Sequence, residues 1–305
     1  MLMYIMRRLL MLIPILLGVT FLTFAIIQIT PGDPVRLMLG PRATKERVAI
    51  LREELGLNDP FLVQYARYVS HATQGDLGRS FRGQTPVRRE ILMRLPSTLS
   101  LMTVGMALAV IGGVTVGTIA AITKSKALEN TLMISALATL SIPVFWLALL
   151  LIIVFGVQLK WVSVTGGEGI KDIILPSICI ALTPGAILAR LTHASILEIM
   201  PEDYVRTARA KGLPKQLIYL RHILRNALIP VVTVMGVLAA NLMTGAVFVE
   251  VIFGRPGLGR FAVDAVFNRD FPQVQGIVLF TAVIFVLFNL IVDLLYVYID
   301  PRIRY

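Results

Sequence analysis

Six apolar runs, each long enough to cross a lipid bilayer, are the feature that most limits how this chain can fold. A transmembrane helix needs about 20 consecutive apolar residues, and a soluble fold would have to bury six unusually long helices in one small chain. The chain is 56% hydrophobic and 15% charged, with a mean hydropathy of +0.80, outside the range of soluble domains. The runs are Leu9–Ile29, Leu99–Ile122, Leu132–Val157, Ile173–Leu197, Leu228–Phe253 and Ile277–Ile299. The sequence therefore predicts an all-α polytopic membrane protein with six transmembrane helices.

The fourth run is less uniform than the others, because it contains Pro176, Pro184, Arg190 and His193. Prolines and ionisable side chains inside a membrane helix are tolerated where they contact protein or water. We therefore expect the inner third of this run to face protein or water and to be shielded from lipid.

Arg7 and Arg8 precede the first run, as basic residues precede a secretory signal. The run is too long for the apolar part of a signal peptide and no A-x-A-like cleavage site follows it, so we expect it to be retained as a helix. Cys179, the single cysteine, lies inside an apolar run. We expect it to be a small packing residue, with no disulfide or cysteine metal site.

Lysine and arginine are unevenly divided between the short loops on the two sides of the predicted membrane. One side carries twelve: Arg7, Arg8, Lys124, Lys126, Arg206, Arg209, Lys211, Lys215, Arg221, Arg225, Arg302 and Arg304. The other side carries five: Lys160, Lys171, Arg255, Arg260 and Arg269. Because short cytoplasmic loops carry the excess, we expect both termini in the cytoplasm. The net charge of +11 then reflects mostly topology, and no nucleic-acid partner is needed to explain it.

Residues 31–95 form a long segment on the other side of the predicted membrane. The stretch "ATKERVAILREELG" predicts a helix closed by Gly56, since glycine tolerates the positive φ of a helix C′ position. The stretch "NDPFLVQYARYVSHATQG" predicts a second helix with Asp59 as its cap and Pro60 at its first position. Two short helices indicate a small helical domain, either a structural lid or a contact for an external partner.

The stretch "EDYVRTARAKGLPKQLIYLRHILRNALIPV", residues 202–231, is basic and polar although it lies between two apolar runs. Pro201, Glu202 and Asp203 favour a helix start, Gly212 ends that helix and Pro214 opens the next. The second helix is predicted to carry one apolar stripe: Leu213, Leu217, Leu220, Leu224 and Ala227. The pattern predicts a helix–glycine–helix elbow over residues 201–227.

The basic elbow pattern is also compatible with two other kinds of helix pair. An amphipathic helix pair resting on anionic lipid would also be basic. A DNA-reading helix-turn-helix is strongly disfavoured because both ends lead directly into membrane helices.

The chain resembles a known family along nearly its whole length. "DYVRTARAKGL" and "RHILRNALIPVVT" are similar to the cytoplasmic coupling loop of permease subunits of binding-protein-dependent ABC importers. "RRLLMLIPILLGVTFLTF", "TPGDP", "LGLNDPFLVQYARYV", "GDLGRSF", "RLPSTLSL", "EVIFGRPGLGR", "NRDFPQVQG" and "NLIVDLLYVYIDPRIRY" narrow the resemblance to the B-type permease of the dipeptide, oligopeptide, glutathione and nickel group. One departure is clear: the Glu-Ala-Ala of the general importer motif is replaced by Arg206, Thr207 and Ala208, so Arg206 is not assigned the role of that glutamate.

The resemblance implies a mechanism and a set of partners. Two related permeases form the pathway in the bacterial cytoplasmic (inner) membrane, two ATP-binding subunits dock on the coupling loops, and an extracytoplasmic solute-binding protein delivers the substrate. The chain has no G-x-x-x-x-G-K-[ST] motif, so ATP and Mg are expected on the partner ATPases, with no cofactor, metal or catalytic residue here. Membrane lipid is the remaining partner, and nucleic acid is not one.

The resemblance places the ATPase-coupling loop within residues 198–228. It divides the chain into an N-terminal transmembrane helix (1–30), the helical segment outside the membrane (31–95) and a five-helix permease core (96–305). The residues expected to couple to the ATPase are Glu202, Asp203, Tyr204, Arg206, Thr207, Ala208, Arg209, Ala210, Lys211, Gly212, Leu213 and Pro214.

Polar residues within the apolar runs are candidates for the translocation pathway, because they are costly in lipid. Asn241 and Thr244 are expected to line the pore. Glu250 is expected to serve as an outer gate, a structural hydrogen-bonding group or a substrate contact, and Asp293 to be structural. Asn289 shares the sixth run with Asp293.

The second run carries a ridge of small residues at four-residue spacing: Gly105, Ala109, Gly113, Gly117 and Ala121. Such a ridge lets another backbone approach closely. We expect it to pack against a helix of this chain or of its partner.

The function indicated is a non-catalytic permease subunit of an ATP-driven importer of dipeptides, oligopeptides or glutathione. Import of nickel or a metal chelate by the same architecture is the alternative. A secondary transporter would often show an internal repeat, and a membrane enzyme would need a nucleophile–base or metal set. Neither pattern is visible in the sequence.

The charge bias predicts the topology directly. With the native cysteine replaced, a Ser70→Cys probe should react with a membrane-impermeant maleimide added outside the cell, and a Gln216→Cys probe should not. The reverse pattern of labelling would invert the topology.

Overall fold

The structure is a computed structural model that describes residues 2–29, 34–40, 43–162 and 169–299. Within these residues, the backbone is helical apart from turns and one isolated antiparallel bridge between Arg79 and Pro86. Two π-helical segments, Ile152–Gln158 and Ile218–Leu224, interrupt the α-helices. The α-helices are Leu2–Ile29 (α1), Pro34–Leu39 (α2), Lys45–Glu54 (α3), Phe61–Thr73 (α4), Val87–Ile122 (α5), Lys126–Ser141 (α6), Val144–Leu151 (α7), Ile170–Ile199 (α8), Asp203–Ala210 (α9), Lys215–Leu217 (α10), Arg225–Ile252 (α11), Leu258–Phe267 (α12) and Phe271–Ile299 (α13).

Several helices are long and apolar enough to span a membrane. Among the described residues, five helices meet this description on their own, and a bent pair, Lys126–Ser141 with Val144–Gln158, raises the number to six if it forms one span. The five are Leu10–Ile29, Val87–Ile122, Lys171–Ile199, Lys215–Ile252 and Phe271–Leu290. The prediction of an all-α polytopic membrane protein is therefore confirmed.

The sequence predicts one continuous helix for the third run, Leu132–Val157, but in the structure this run is divided between two helices. The chain bends by 108° between α6 and the helix that follows. Ile142 adopts an extended conformation, with φ −90° and ψ 122°, as the residue before a proline does. Pro143 also lacks the N–H that a continuing helix would need, so one proline divides an apolar stretch that hydropathy treats as uniform.

By contacts, the chain forms two compact units. One comprises the described residues within 1–96 and 257–290, and the other those within 97–256 and 291–299. The division at residues 30 and 95 suggested by the sequence stays a prediction.

In the first unit, the segment outside the predicted membrane contains α2, which was not foreseen, and the two predicted helices α3 and α4. Gly56 follows α3 with φ +62°, as predicted. The start of α4 differs from the prediction by one residue: the helix begins at Phe61, and Pro60 is the N-cap with an extended ψ of 145°. The Asp59 carboxylate does not cap the helix but lies 2.5 Å from Arg67 Nη2.

Aromatic rings hold α4 against α1. Phe21 packs edge-on to Phe61 and Tyr65, with ring centroids 5.6 and 5.3 Å apart. The Tyr65 hydroxyl donates to the carbonyl of Leu17 at 2.9 Å. A second cluster of this unit joins the start of α5 to α12 and α13 through Val87, Ile91, Leu258, Phe261, Ala265 and Ile277.

In the second unit, α8 is the most buried of the five spans that consist of a single helix. In its inner third, where the sequence predicts contact with protein or water, Thr192, Ser195 and Ile196 are buried and Arg190 is exposed.

The small-residue ridge of α5 packs against α8. A Cβ added at Gly113 would lie 2.6 Å from the carbonyl oxygen of Gly185, and one at Gly117 would lie 2.4 Å from that of Ala189. The ridge therefore packs within this chain. Cys179 of α8 is fully buried, as predicted.

The contact between α5 and α8 predicts a sharp difference between two neighbouring glycines. Gly113→Ala should lower the unfolding temperature of the purified complex, because overpacking of a close contact costs about 1–3 kcal/mol. Gly112→Ala is the matched control, since a Cβ there meets no atom within 4 Å and alanine favours a helix by about 1 kcal/mol. Equal unfolding temperatures for the two variants would contradict the role assigned to the ridge.

Candidate functional site

The first arm of the elbow is α9, Asp203–Ala210, which begins one residue after the extended N-cap Glu202. The sequence predicts that Pro201 belongs to the start of this helix. In the structure, Pro201 lies in the turn before the helix. Within the arm, the Thr207 hydroxyl donates to the carbonyl of Asp203 at 2.9 Å, and Arg206 Nη1 lies 3.6 Å from Asp203 Oδ1. Both charged groups are exposed, so this ion pair contributes little to stability.

Gly212 ends the first arm in a Schellman motif. Its N–H donates to the carbonyl of Arg209 at 3.0 Å, and the N–H of Leu213 donates to that of Ala208 at 3.4 Å. Gly212 has φ +74°, a region open to glycine at no steric cost. A Cβ added there would meet no atom within 4 Å. The need for glycine is thus conformational, since space for a side chain is available.

The second arm begins with Pro214 as an extended N-cap, followed by α10, the π-helical segment Ile218–Leu224 and α11. The predicted apolar stripe is wrong for two of its members: Leu217 is 37% exposed and Leu220 is 66% exposed. Hydrogen bonds in a π-helix close between residues five apart, so the buried face moves to Ile218 and Ile223. Residue spacing alone assumed an uninterrupted α-helix.

An apolar cluster anchors both arms on the ends of the spans. Val205 and Ala208 of the first arm are buried with Ile218 and Ile223 of the second. The same cluster contains Ala121 of α5, Ile196 of α8 and Ala227 of α11. Full burial of a valine or isoleucine side chain contributes about 1.5–3 kcal/mol, and the cluster buries four of them. The elbow is therefore packed directly on three membrane helices.

The face of the elbow that points away from this cluster is polar and basic. Arg206, Thr207, Arg209, Ala210 and Lys211 are exposed, as are Glu202 and Asp203. Tyr204 is 41% exposed, and its hydroxyl accepts a hydrogen bond from Asn226 Nδ2 at 3.2 Å, which ties the first arm to the second. The elbow thus presents an exposed surface rich in basic residues on the side opposite its buried apolar cluster.

The candidate pathway residues fall into two environments. Asn241 and Thr244 are exposed on α11, on a face that also presents Val237 and Phe248. Glu250 is fully buried, and its Oε1 accepts a hydrogen bond from the Thr98 hydroxyl of α5 at 2.6 Å. Of the three roles left open for Glu250, the structural hydrogen bond is the one its surroundings support.

In the sixth span, one of the two polar residues singled out from the sequence has a described side chain. The Asn289 amide donates to the carbonyl of Phe285 at 2.8 Å, within its own helix. The side chain of Asp293 lies outside the described residues.

A polar side-chain contact between α6 and α8 was not foreseen. His193 Nε2 lies 3.2 Å from Glu129 Oε1, and Lys126 Nζ lies 3.1 Å from Glu129 Oε2. The sequence indicates that His193 needs a polar partner, because a histidine is costly in an apolar run. That partner, Glu129, lies 64 positions earlier. No local pattern could have paired them.

An apolar cavity of about 320 Å³ lies among α5, α6 and α8, beside Gly112, Ser135, Thr139 and Gly185. The hydroxyls of Ser135 and Thr139 donate to carbonyls of their own helix, at 2.8 and 2.9 Å. The cavity therefore presents little free hydrogen-bonding capacity. In the parts of the chain that the structure describes, no group of three His, Cys, Asp or Glu side chains could hold a metal ion.

Two family models together match nearly all of the chain. The model described as "Binding-protein-dependent transport system inner membrane component" matches residues 113–305, and the corresponding N-terminal model matches residues 1–102. The chain belongs to this family.

Two named relatives align with this chain over its full length. It is 42% identical to the dipeptide transport system permease protein DppB of Alkalihalophilus pseudofirmus, and the match covers 100% of both chains. It is 44% identical to the glutathione transport system permease protein GsiC of Escherichia coli, again over 100% of both.

Among solved structures, the inward-facing MetNI methionine ABC transporter matches with a TM-score of 0.57 and 20% identity, over 69% of this chain and 96% of that one. A second match is a crystal structure of an amino acid ABC transporter with histidines, with a TM-score of 0.53, 18% identity, and coverage of 68% and 93%. At these identities, the likeness concerns the fold.

Proposed function

We propose that this protein is a permease subunit of an ATP-driven ABC importer that moves small peptides, such as dipeptides, oligopeptides or glutathione, across the bacterial cytoplasmic membrane. Family membership and full-length identity to a dipeptide and a glutathione permease protein support this function. Both termini and the elbow lie on the cytoplasmic side, as the lysine and arginine bias indicates.

The elbow carries the proposal. Its basic outer face docks on a separate ATPase subunit, and its buried face packs on α5, α8 and α11. Movement of the ATPase therefore passes to the spans through tightly packed side chains, which transmit displacement because they compress little. ATP and Mg are bound by the partner ATPases, and this chain is the non-catalytic membrane subunit.

The complete transporter in this proposal contains a second, related permease, two ATP-binding subunits and an extracytoplasmic solute-binding protein. The exposed face of α11 lines the pathway. Asn241 and Thr244 supply polar groups that a passing peptide could contact, and such groups are costly in lipid. Glu250 supports the pathway wall from within by holding α11 against α5.

Substitution of Gly212 tests whether coupling depends on the backbone conformation of the elbow. Gly212→Val should abolish stimulation of ATP hydrolysis by the loaded binding protein, together with uptake, because a β-branched residue is strongly disfavoured at positive φ. Both activities are measured in reconstituted vesicles that contain the complete transporter.

Gly212→Asn is the matched control, since asparagine adopts the left-handed region far more readily and the site has room for a side chain. We expect this variant to retain most of the stimulation. Full stimulation and uptake by Gly212→Val would refute the coupling role. Normal coupling that varied only with anionic lipid would favour the lipid-resting alternative.

The pathway assignment is tested by changing one amide in each of two spans. Asn241→Leu should reduce uptake while leaving assembly with the ATPases intact, because it removes a polar group from the pathway wall. Asn289→Leu makes the same chemical change where the amide bonds within its own helix, and we expect little loss of uptake. If Asn241→Cys resists water-soluble maleimides in every nucleotide state, with Cys179 replaced by alanine, residue 241 does not line a pathway.

A further inference from the structure

A short hairpin precedes α5 in the first compact unit. Arg79 and Pro86 form its antiparallel bridge, and the N–H of Ser80 donates to the carbonyl of Thr85 at 3.0 Å. At its tip, Gln84 has φ +53°, a conformation uncommon for a residue other than glycine. The tip is therefore held in a defined shape. Arg82, Gly83 and Gln84 are exposed.

The Asp270 side chain, between α12 and α13, holds this hairpin in place through hydrogen bonds. Asp270 is only 2% exposed. Its Oδ2 accepts from the Ser80 hydroxyl at 2.5 Å, and its Oδ1 accepts from the N–H of Phe81 at 3.2 Å. The N–H of Arg82 approaches Oδ2 at 3.5 Å, and the Ser80 hydroxyl in turn accepts from the N–H of Gly83 at 3.0 Å.

Burying a carboxylate is costly unless hydrogen bonds compensate it. Here the compensating donors come from the hairpin, so the carboxylate and the turn depend on each other. The turn contributes exposed residues and little core. A buried carboxylate is thus used to hold an exposed loop rigid.

The hairpin and the first turn of α5 present four exposed arginines: Arg79, Arg82, Arg88 and Arg89. Among the described residues, none of the four forms an ion pair, and residues 79–89 contain no acid. Arginine in the first turn of a helix is unfavourable, because the helix dipole is positive there. Two nearby acids are Glu90, which pairs with Arg94, and the buried Asp270, which accepts from backbone N–H groups of the hairpin. Neither forms an ion pair with the four arginines, so the charge of these arginines is available for an interaction.

We propose that the Arg79–Pro86 hairpin, with Arg88 and Arg89, is a docking surface for an acidic face of the solute-binding protein. The inference rests on the proposed function, which places residues 31–95 on the side from which the substrate arrives. A rigid loop loses little conformational freedom on binding, and arginine makes bidentate hydrogen bonds to carboxylates. Complementary charge also accelerates and orients the encounter.

The test measures binding of the purified solute-binding protein to the assembled transporter in nanodiscs of neutral lipid. Combined Arg79→Glu and Arg82→Glu should weaken binding by roughly ten-fold or more at low salt and flatten its salt dependence. Lys45→Glu with Arg47→Glu is the matched control, because it makes the same change in charge at exposed positions of α3. We expect the control to bind as the unchanged protein does.

Asp270→Asn tests the rigidity of the hairpin with all four arginines retained. It should speed amide hydrogen exchange at residues 81–83 and weaken binding of the solute-binding protein, since a neutral amide is a poorer acceptor than a carboxylate. Asp264→Asn, at an exposed position of α12, is the control and should change neither quantity. If the charge-reversal variant does not assemble, Arg79→Gln with Arg82→Gln replaces it.

Unchanged binding in the arginine variants, or an equal loss in the α3 control, would overturn the docking surface. An effect confined to membranes that contain anionic lipid would assign the arginines to lipid headgroups and would overturn it too. These failures differ from failure of the proposed function, in which the chain would not assemble with ATPase subunits at all. A complex that assembles, hydrolyses ATP and binds normally with the variant hairpin rejects the docking surface alone.

Discussion

The close approach of α5 to α8 is the contact on which the membrane part of this structure depends. Lipid tails are as apolar as leucine, so helices in a membrane gain little from hydrophobic burial and associate mainly through packing. At Gly113 and Gly117 the two helices come so close that even a methyl group has no room. The buried clusters of the second unit all contain residues of α8. One pair of helices thus organises the packing around it.

The elbow follows α8 after only a short turn and packs back on the end of the same helix through Ile196. The rigidity of the α5–α8 contact therefore extends to the elbow without a flexible linker. The division of labour in the elbow follows from burial: Val205 and Ala208 face the membrane helices, while Arg209 and Lys211 face away. In the proposed coupling role, this eight-residue helix contacts a partner through one face and the membrane helices through the other.

Local chemistry made much of this predictable from the sequence. Glycines at four-residue spacing indicated a close helix contact, and Gly212 followed by Pro214 indicated the elbow, because each pattern has one strong steric cause. The bend at Pro143 and the π-helical segment after Leu217 were missed. Hydropathy averages over a proline, and helical spacing assumes hydrogen bonds between residues four apart. The contacts of Asp270 with Ser80 and of Glu250 with Thr98 join residues 190 and 152 positions apart. Such pairings depend on the fold, and no periodicity encodes them.

The polar side chains of α11 lie in two different environments, although each would be costly in contact with lipid. Glu250 is fully buried and accepts a hydrogen bond from the Thr98 hydroxyl of α5, so its polarity links α11 to α5. Asn241 and Thr244 are exposed on the surface of this single chain. An amide and a hydroxyl at those positions are unfavourable against lipid. In the proposed transporter, a second permease encloses this face with water and substrate, which removes that cost.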